Sequence, residues 1–426
     1  MSEFADIATQ LARIQRGTVD LVSEAELRKK LERSRAIGKP LRVKLGIDPT
    51  FRDVHFGHSV PIRKLADFQA LGHLPVLILG DGTALVGDPT GRDSTRPPLT
   101  REQIEENVSG YMSQIGKILD LSRCEIVRNG QWFHGMGFAD VLRLMARGTV
   151  ARMIERDNFQ ERMKGGRPIH MHELLYPLMQ GWDSVMVRAD VELGGTDQLF
   201  NLMQGRVLQQ EEGQEPQICI TVPLIEGLDG RKMSKSYGNH IGLSFPAKEI
   251  FGKTMSIPDA QLRPWFTLLT RRPLEEVGAL LAEGKNPRDA KVELAKALVA
   301  EVHGAAAAEA EATAFFSQFS KGEIPADAPT VSIAPSAREG CLDASAPALR
   351  ADLSQMASGK VGFANFPGFL AQISSESASA ARQLMSQKAV DVDGALASDP
   401  KATIWLSDGC VLRVGKRRYF RICVKP

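Results

Sequence analysis

The sequence predicts an α/β fold: a doubly wound parallel sheet carrying a helical insertion, followed by an α-helical domain and a small C-terminal α+β domain. Three features of the 426 residues carry that prediction. LRVKLGI at 41–47 alternates apolar and polar side chains, whereas PVLILG at 75–80 is a continuous apolar run of the kind needed by a parallel strand buried on both faces. A helical pattern lies between them, making a strand-helix-strand unit. Beyond residue 246 apolar residues recur at helical spacing, and a segment rich in Ala, Pro, Ser and Gly then sets off a compact tail.

Taken in order, the N-terminal MSEFADIATQLARIQRG has acids and amphipathic spacing where a signal peptide has a basic end and an apolar core. The helix after LRVKLGI shows Ile62, Leu65, Phe68 and Leu71 at helical spacing, with Pro61 suited to its first turn and Gly72 to its stop. Two loops, DPTFRDVHFGH and GDGTALVGDPTGRDSTR, follow the two strands. Both emerge at the carboxyl edge of the sheet, where Rossmann-like doubly wound folds bind nucleotides. Residues 101–175 read as a mostly helical insertion, and ICITVPLIEG returns to the sheet, so 1–245 is the expected Rossmann-type domain. Helices then dominate 246–322, a linker is expected at 323–363, and 364–426 forms the tail, ending in the basic LRVGKRRYFRICVK.

Fifty-three basic residues nearly balance 51 acidic ones, for a formal charge of +2, so any RNA contact must come from local patches. Cys124, Cys219, Cys341, Cys410 and Cys423 are scattered, with no CxxC pair and no zinc spacing, as expected of reduced cytoplasmic thiols without a metal site. No apolar run approaches membrane-spanning length, so no membrane partner is expected.

Two short strings carry chemistry. His55-Phe56-Gly57-His58 lies at the start of the first helix of the sheet. The unpaired amides and positive end of a helix N-terminus suit phosphate oxygens, two imidazoles one turn apart add donors, and Gly57 lets a nucleotide approach the backbone. Alone, such a pair is more often surface or capping histidines. Gly230-Arg231-Lys232-Met233-Ser234-Lys235-Ser236 follows the last predicted strand. Its two lysines suit the outer phosphates of ATP and the charge of departing pyrophosphate, where a lone basic loop is usually just solvated. A Walker-type kinase is excluded, because neither glycine-rich segment has the G-x-x-x-x-G-K-[ST] order and no GxGxxG opens the first helix.

HFGH after a first strand with KMSKS after a last one resembles the class I aminoacyl-tRNA synthetases. LGIDPT (45–50), YPLMQGWD (176–183) and ELGGTDQ (192–198) look like the tyrosyl member, the resemblance running through most of residues 30–245. The alternatives are the tryptophanyl type, which usually has Pro-Ser-Gly in place of DPT and lacks a basic tail, and a synthetase-derived RNA-binding protein without catalysis. The resemblance implies a ligase that joins L-tyrosine to ATP, with Mg²⁺, and then to tRNA(Tyr), in a homodimer with the insertion at its interface. It puts His55, His58, Lys232 and Lys235 in the catalytic set. Asp48, Thr50, Gly57, Gly195, Asp197, Ser234, Arg92 and Arg96 would meet ATP, the two arginines reaching the pyrophosphate. Asp88, Tyr176 and Gln180 would surround the substrate ammonium, Asp183 the phenol and Gln198 the carboxylate. Lys44 stands where many tyrosyl enzymes have a phenol-binding tyrosine, so it either donates to the phenol oxygen or turns away.

The tail resembles a small RNA-binding domain first known from a ribosomal protein, with two short helices followed by strands. The resemblance implies RNA contact through Arg382, Lys416 and Arg417. It departs from the family at Ala380, Gln383 and Lys388, the last standing where the family has glycine.

Overall fold

Six strands make the sheet of the N-terminal part: β1 (Leu21–Val22), β2 (Arg42–Ile47), β3 (Leu74–Leu79), β4 (Glu125–Arg128), β5 (Val191–Gly195) and β6 (Ile218–Val222). The computed structural model describes residues 4–50, 52–87, 100–320, 328–333, 351–374, 376–415 and 418–424. These fall into two units, Met1–Ala312 and Thr313–Pro426. In the first, the strand order is β1-β6-β5-β2-β3-β4, with β1 antiparallel and every other pairing parallel. The chain winds outward from β2 to β4, then returns to the other flank of β2 as β5. The winding thus reverses between β2 and β5, and open α/β sheets bind ligands outside the carboxyl ends of strands at such a point.

The helix Phe56–Ala70 connects β2 to β3 and buries Phe56, Ile62, Leu65 and Phe68. It starts at the His55-Phe56-Gly57-His58 string as expected, with His55 as N-cap, but Pro61, expected in the first turn, sits inside the helix, where its missing N–H leaves the Gly57 carbonyl without a helical partner. The expected insertion at 101–175 contains helices Arg101–Ile115, Phe138–Met145 and Asp157–Lys164, but it also contains β4. That strand is short, lies at the sheet edge and is only partly buried, so no apolar run marks it. Met171–Val187 and Leu199–Glu211 then pack closely at Gly181, where an added Cβ would lie 3.0 Å from the Gly205 nitrogen.

The helices Ala247–Thr254, Leu262–Leu269, Leu274–Leu280 and Pro287–His303 match the expected helical region. Polar clasps tie them to the sheet. Trp265 is fully buried and donates from its indole to the Glu226 carbonyl at 3.2 Å. Arg16 donates to the carbonyls of Phe266, Thr267 and Thr270, each at 3.1 Å. Arg63 on the Phe56–Ala70 helix grips the Glu301 carboxylate with both ends of its guanidinium.

The second unit contains β7 (Thr330–Ile333), β8 (Ala351–Asp352), β9 (Lys360–Phe363), β10 (Val390–Val392), β11 (Ala395–Leu396), β12 (Ile404–Ser407), β13 (Val411–Val414) and β14 (Arg418–Val424). They form sheets of order β11-β10-β13-β14-β7 and β12-β9-β8, with helices Phe366–Ser374 and Ala378–Ser386. Ile333, Val361 and Phe363 are buried with Phe366, Phe369, Leu412 and Ile422 in one core. The stretch expected as a linker, 323–363, therefore supplies three strands and core residues. Its Ala, Pro, Ser and Gly content masked short strands that pair far along the chain. Cys124, Cys219, Cys410 and Cys423 are free, Cys341 lies outside the described residues, and no described helix is long and apolar enough to cross a membrane.

Candidate active site

The chain leaving β2 turns at Asp48–Thr50 and enters the Phe56–Ala70 helix through His55. The His55 Nδ1 accepts the backbone N–H of His58 at 3.3 Å, and the two rings stack with centroids 3.6 Å apart. Because Nδ1 accepts, the ring proton of His55 resides on Nε2, which remains a donor. Burial, helped by His58, His240, Lys235 and Lys232 nearby, pushes the His55 pKa down to about 2. His55 is thus a neutral donor across the physiological range.

The front of this helix is stitched to the chain that follows KMSKS. Phe56 N–H donates to the Ile241 carbonyl at 3.0 Å, Leu243 N–H to Val54 at 2.8 Å, and His55 faces Gly242 in a β-bridge. The Gly57 N–H also lies 3.3 Å from the Met233 sulfur, 176 positions away in sequence. The two signature strings accordingly meet in one crevice of about 290 Å³, lined by Asp48, Thr50, His55, Gly57, His58, Tyr176, Gly195, Asp197, Gln198, Lys232 and Met233. Lys232 Nζ reaches Asp197 at 3.0 Å across it. Lys235 and Ser234 are not lining residues: the Lys235 ammonium lies 3.6 Å from Asp53, and the Ser234 N–H donates to Asn239 at 2.8 Å.

A smaller cavity adjoins the crevice, sharing Asp48, Tyr176 and Gln198 and adding Thr83, Asn129, Gln180 and Asp183. Asp48 joins the two, accepting from the Tyr176 hydroxyl at 2.9 Å and the Thr83 hydroxyl at 2.7 Å. Gly80 makes this possible, since a Cβ there would fall 2.1 Å from the Asp48 carboxylate. Gln198 accepts the Gly195 N–H at 3.0 Å. Asp183 accepts from the Trp132 indole at 3.0 Å and from Asn129 at 3.2 Å. Burial raises its pKa to about 7, against the opposing influence of the Lys44 charge and those two hydrogen bonds, with Glu192 raising it further.

Lys44 does not line either cavity. It is fully buried, with its ammonium donating to the Gln180 carbonyl at 2.7 Å and Ser184 at 2.7 Å and paired with Glu192 at 2.9 Å. All three N–H donors are thereby engaged within the protein, which fits the second of the two expectations for this lysine, that it turns away from the phenol. Asp88, Arg92, Arg96, Lys416 and Arg417 lie outside the described residues, and Arg382 is exposed on the Ala378–Ser386 helix.

Several partners escaped the sequence reading: Glu192, Ser184 and Asn201 beneath Gln180, Asn129 and Trp132 on Asp183, and Asp53 beside Lys235. One signal was available for the first. A lysine in RVKLGI and a glutamate in VELGG, each flanked on both sides by apolar residues of a strand, call for a buried partner of opposite charge. For the others, short polar segments gave no pattern.

Residues 36–320 match the family described as class I tRNA synthetases (W and Y). The tyrosine–tRNA ligase of Symbiobacterium thermophilum is 48% identical over 428 residues, covering 99% of each chain. That of Shewanella oneidensis is 47% identical over 98% of this chain and 99% of its own. Among solved structures, the tyrosyl-tRNA synthetase of Archaeoglobus fulgidus in complex with L-tyrosine superposes with a TM-score of 0.60 at 25% identity, covering 72% of this chain and all of its own.

Proposed function

We propose a residue-level course for the reaction, and its premise is that this chain belongs to the class I tRNA synthetases of the tryptophan and tyrosine group, among the tyrosine–tRNA ligases. The activity joins tyrosine to tRNA with ATP. The observation that carries the residue assignment is the single crevice shared by the His55–His58 turn and Lys232, clasped by the Gly57–Met233 contact.

In this reading tyrosine enters the smaller cavity. Asp183 accepts from its phenol, held in place by Asn129 and Trp132. Tyr176 and Gln180, with Asp88, receive the ammonium, and Gln198 faces the carboxylate. ATP fills the crevice with its ribose at Gly195 and Asp197 and its phosphates at the helix start, near Asp48 and Thr50. The tyrosine carboxylate oxygen attacks the α-phosphorus, the bond to the β-phosphate oxygen breaks, and pyrophosphate leaves. No protein nucleophile takes part, so catalysis is positioning plus charge stabilisation. His55 Nε2 and His58 donate to phosphate oxygens. Lys232 transfers its bond from Asp197 to the phosphates, Lys235 leaves Asp53 for the pyrophosphate, and Ser234, Arg92 and Arg96 complete the cradle. A ribose hydroxyl at the tRNA 3′ end then attacks the adenylate carbonyl and releases AMP. Mg²⁺ accompanies ATP through phosphate oxygens and water.

The helical region binds the anticodon arm, and the C-terminal unit adds RNA contacts through Arg382, Lys416 and Arg417, which set affinity more than sequence choice. The chain works in the cytoplasm as a homodimer. Support comes from the insertion, where Phe138, Leu142 and Met145 stand exposed one turn apart on one helix, Phe138 at 79%. Tyrosine-dependent exchange of pyrophosphate into ATP tests the assignment. Wild-type protein should exchange, and His55→Ala and Lys232→Ala should each slow exchange by about 10²-fold or more. Unaltered rates in both variants would refute the site.

A further inference from the structure

We infer that Glu192 is a positioning residue that sets which end of the Gln180 amide faces the amino-acid cavity, and so gives the cavity its selectivity for a substrate bearing an α-ammonium. The inference rests on assigning this cavity to tyrosine.

Glu192 lies opposite Lys44 in the β2–β5 register, and both are fully buried. An ionised carboxylate offers acceptors only. Its Oε1 takes Lys44 at 2.9 Å and the Gln180 side-chain amide N–H at 3.0 Å; its Oε2 takes the Ser184 hydroxyl at 3.1 Å and the Gln217 amide. Gln180 must therefore turn its NH₂ toward Glu192 and its carbonyl oxygen away. That oxygen receives Asn201 Nδ2 at 2.8 Å, and one lone pair remains on a side chain that lines the cavity. The polarity of the relay runs from the carboxylate through Gln180 to Asn201, and turning the amide over would set its oxygen against the Glu192 carboxylate and its NH₂ against the NH₂ of Asn201. Lys44 balances the charge and also holds the Gln180 main-chain carbonyl at 2.7 Å, so the pair fixes both backbone and side chain of one residue. A carbonyl oxygen presented to the cavity attracts an ammonium; an NH₂ in its place would repel one.

Two fragments separate this role from simple structural support: tyramine, which has the ammonium and no carboxylate, and 3-(4-hydroxyphenyl)propionate, which has the carboxylate and no ammonium. Their affinities are measured by calorimetry on the full chain. In Glu192→Gln, and in the double variant Lys44→Met/Glu192→Gln that leaves no unpaired charge, Gln180 is free to turn. Tyramine should weaken by about tenfold, while the propionate changes by less than about twofold or tightens. Gln217→Met, which leaves the carboxylate in place, should not move the ratio of the two affinities. Equal weakening of both fragments, an unmoved ratio in the Glu192 variants, or a shift of equal size in Gln217→Met would overturn the inference. Wild-type protein that binds neither fragment would instead refute the assignment of the cavity. Should the single variant not fold, the double variant decides.

Discussion

Asp183 carries the most consequential titration in the site. Its folded pKa of about 7 lies above the ordinary carboxylate value, so the buried acid favours folding most at low pH, and this contribution is lost as pH rises through about 7. Binding runs the other way. The ionised form accepts the phenol O–H, and so KM for tyrosine should fall as pH rises toward 7 and level off above it. Profiles of KM between about pH 5.5 and 8.5 check this, and Asp183→Asn should abolish the inflection. His55 adds no limb of its own there, being neutral down to about 2. Lys235 lies beside the crevice at Asp53, so Lys235→Ala should lower kcat about 10²-fold with tyrosine affinity nearly unchanged. Pyrophosphate exchange and equilibrium binding measure the two separately. At this scale the signature histidines and Lys232 were legible because their order along the chain is rare. Lys44 was not, since its orientation depends on Glu192, Ser184 and the Gln180 carbonyl, which only the folded sheet brings beside it.

Close approach governs the helices and turns. At Gly205 a Cβ would fall 2.3 Å from the Gln217 amide and 2.9 Å from the Ser184 hydroxyl. Gly205→Ala should therefore destabilise the fold by about 1–3 kcal/mol and raise KM for tyrosine, read by thermal unfolding and exchange kinetics. Lys388 is a different case: it holds φ at 57°, the left-handed region that glycine enters without strain. Lys388→Gly should raise stability by up to about 1 kcal/mol, a gain visible in thermal unfolding of the full chain. The buried strands and long amphipathic helices could be read from periodicity alone. The place of Pro61 within the Phe56–Ala70 helix could not, because proline suits a first turn and the His55 cap sets the start earlier, and β4 could not, because an edge strand needs little apolar surface.

On the scale of the whole chain, the strands between 330 and 363 decide where the protein tolerates truncation. Ile333 belongs to the core of the second unit, so a chain ending near residue 360 would keep β7 without its partner β14 and β8 without its partner β9. A chain ending near residue 320 should stay soluble and retain pyrophosphate exchange while losing most tRNA charging; one ending near 360 should aggregate. Light scattering and charging assays distinguish the two. The parallel sheet and the helices after it could be foreseen because apolar runs announce them. The strands within an alanine- and proline-rich stretch gave no such announcement. The cross-strand pairing of Lys44 with Glu192 carries a consequence for descent. Removing either partner strands the other charge, at a cost of about 3–5 kcal/mol, so neither position can drift alone. Lineages that have lost the lysine should have lost the glutamate too, and the two columns of an alignment should change together.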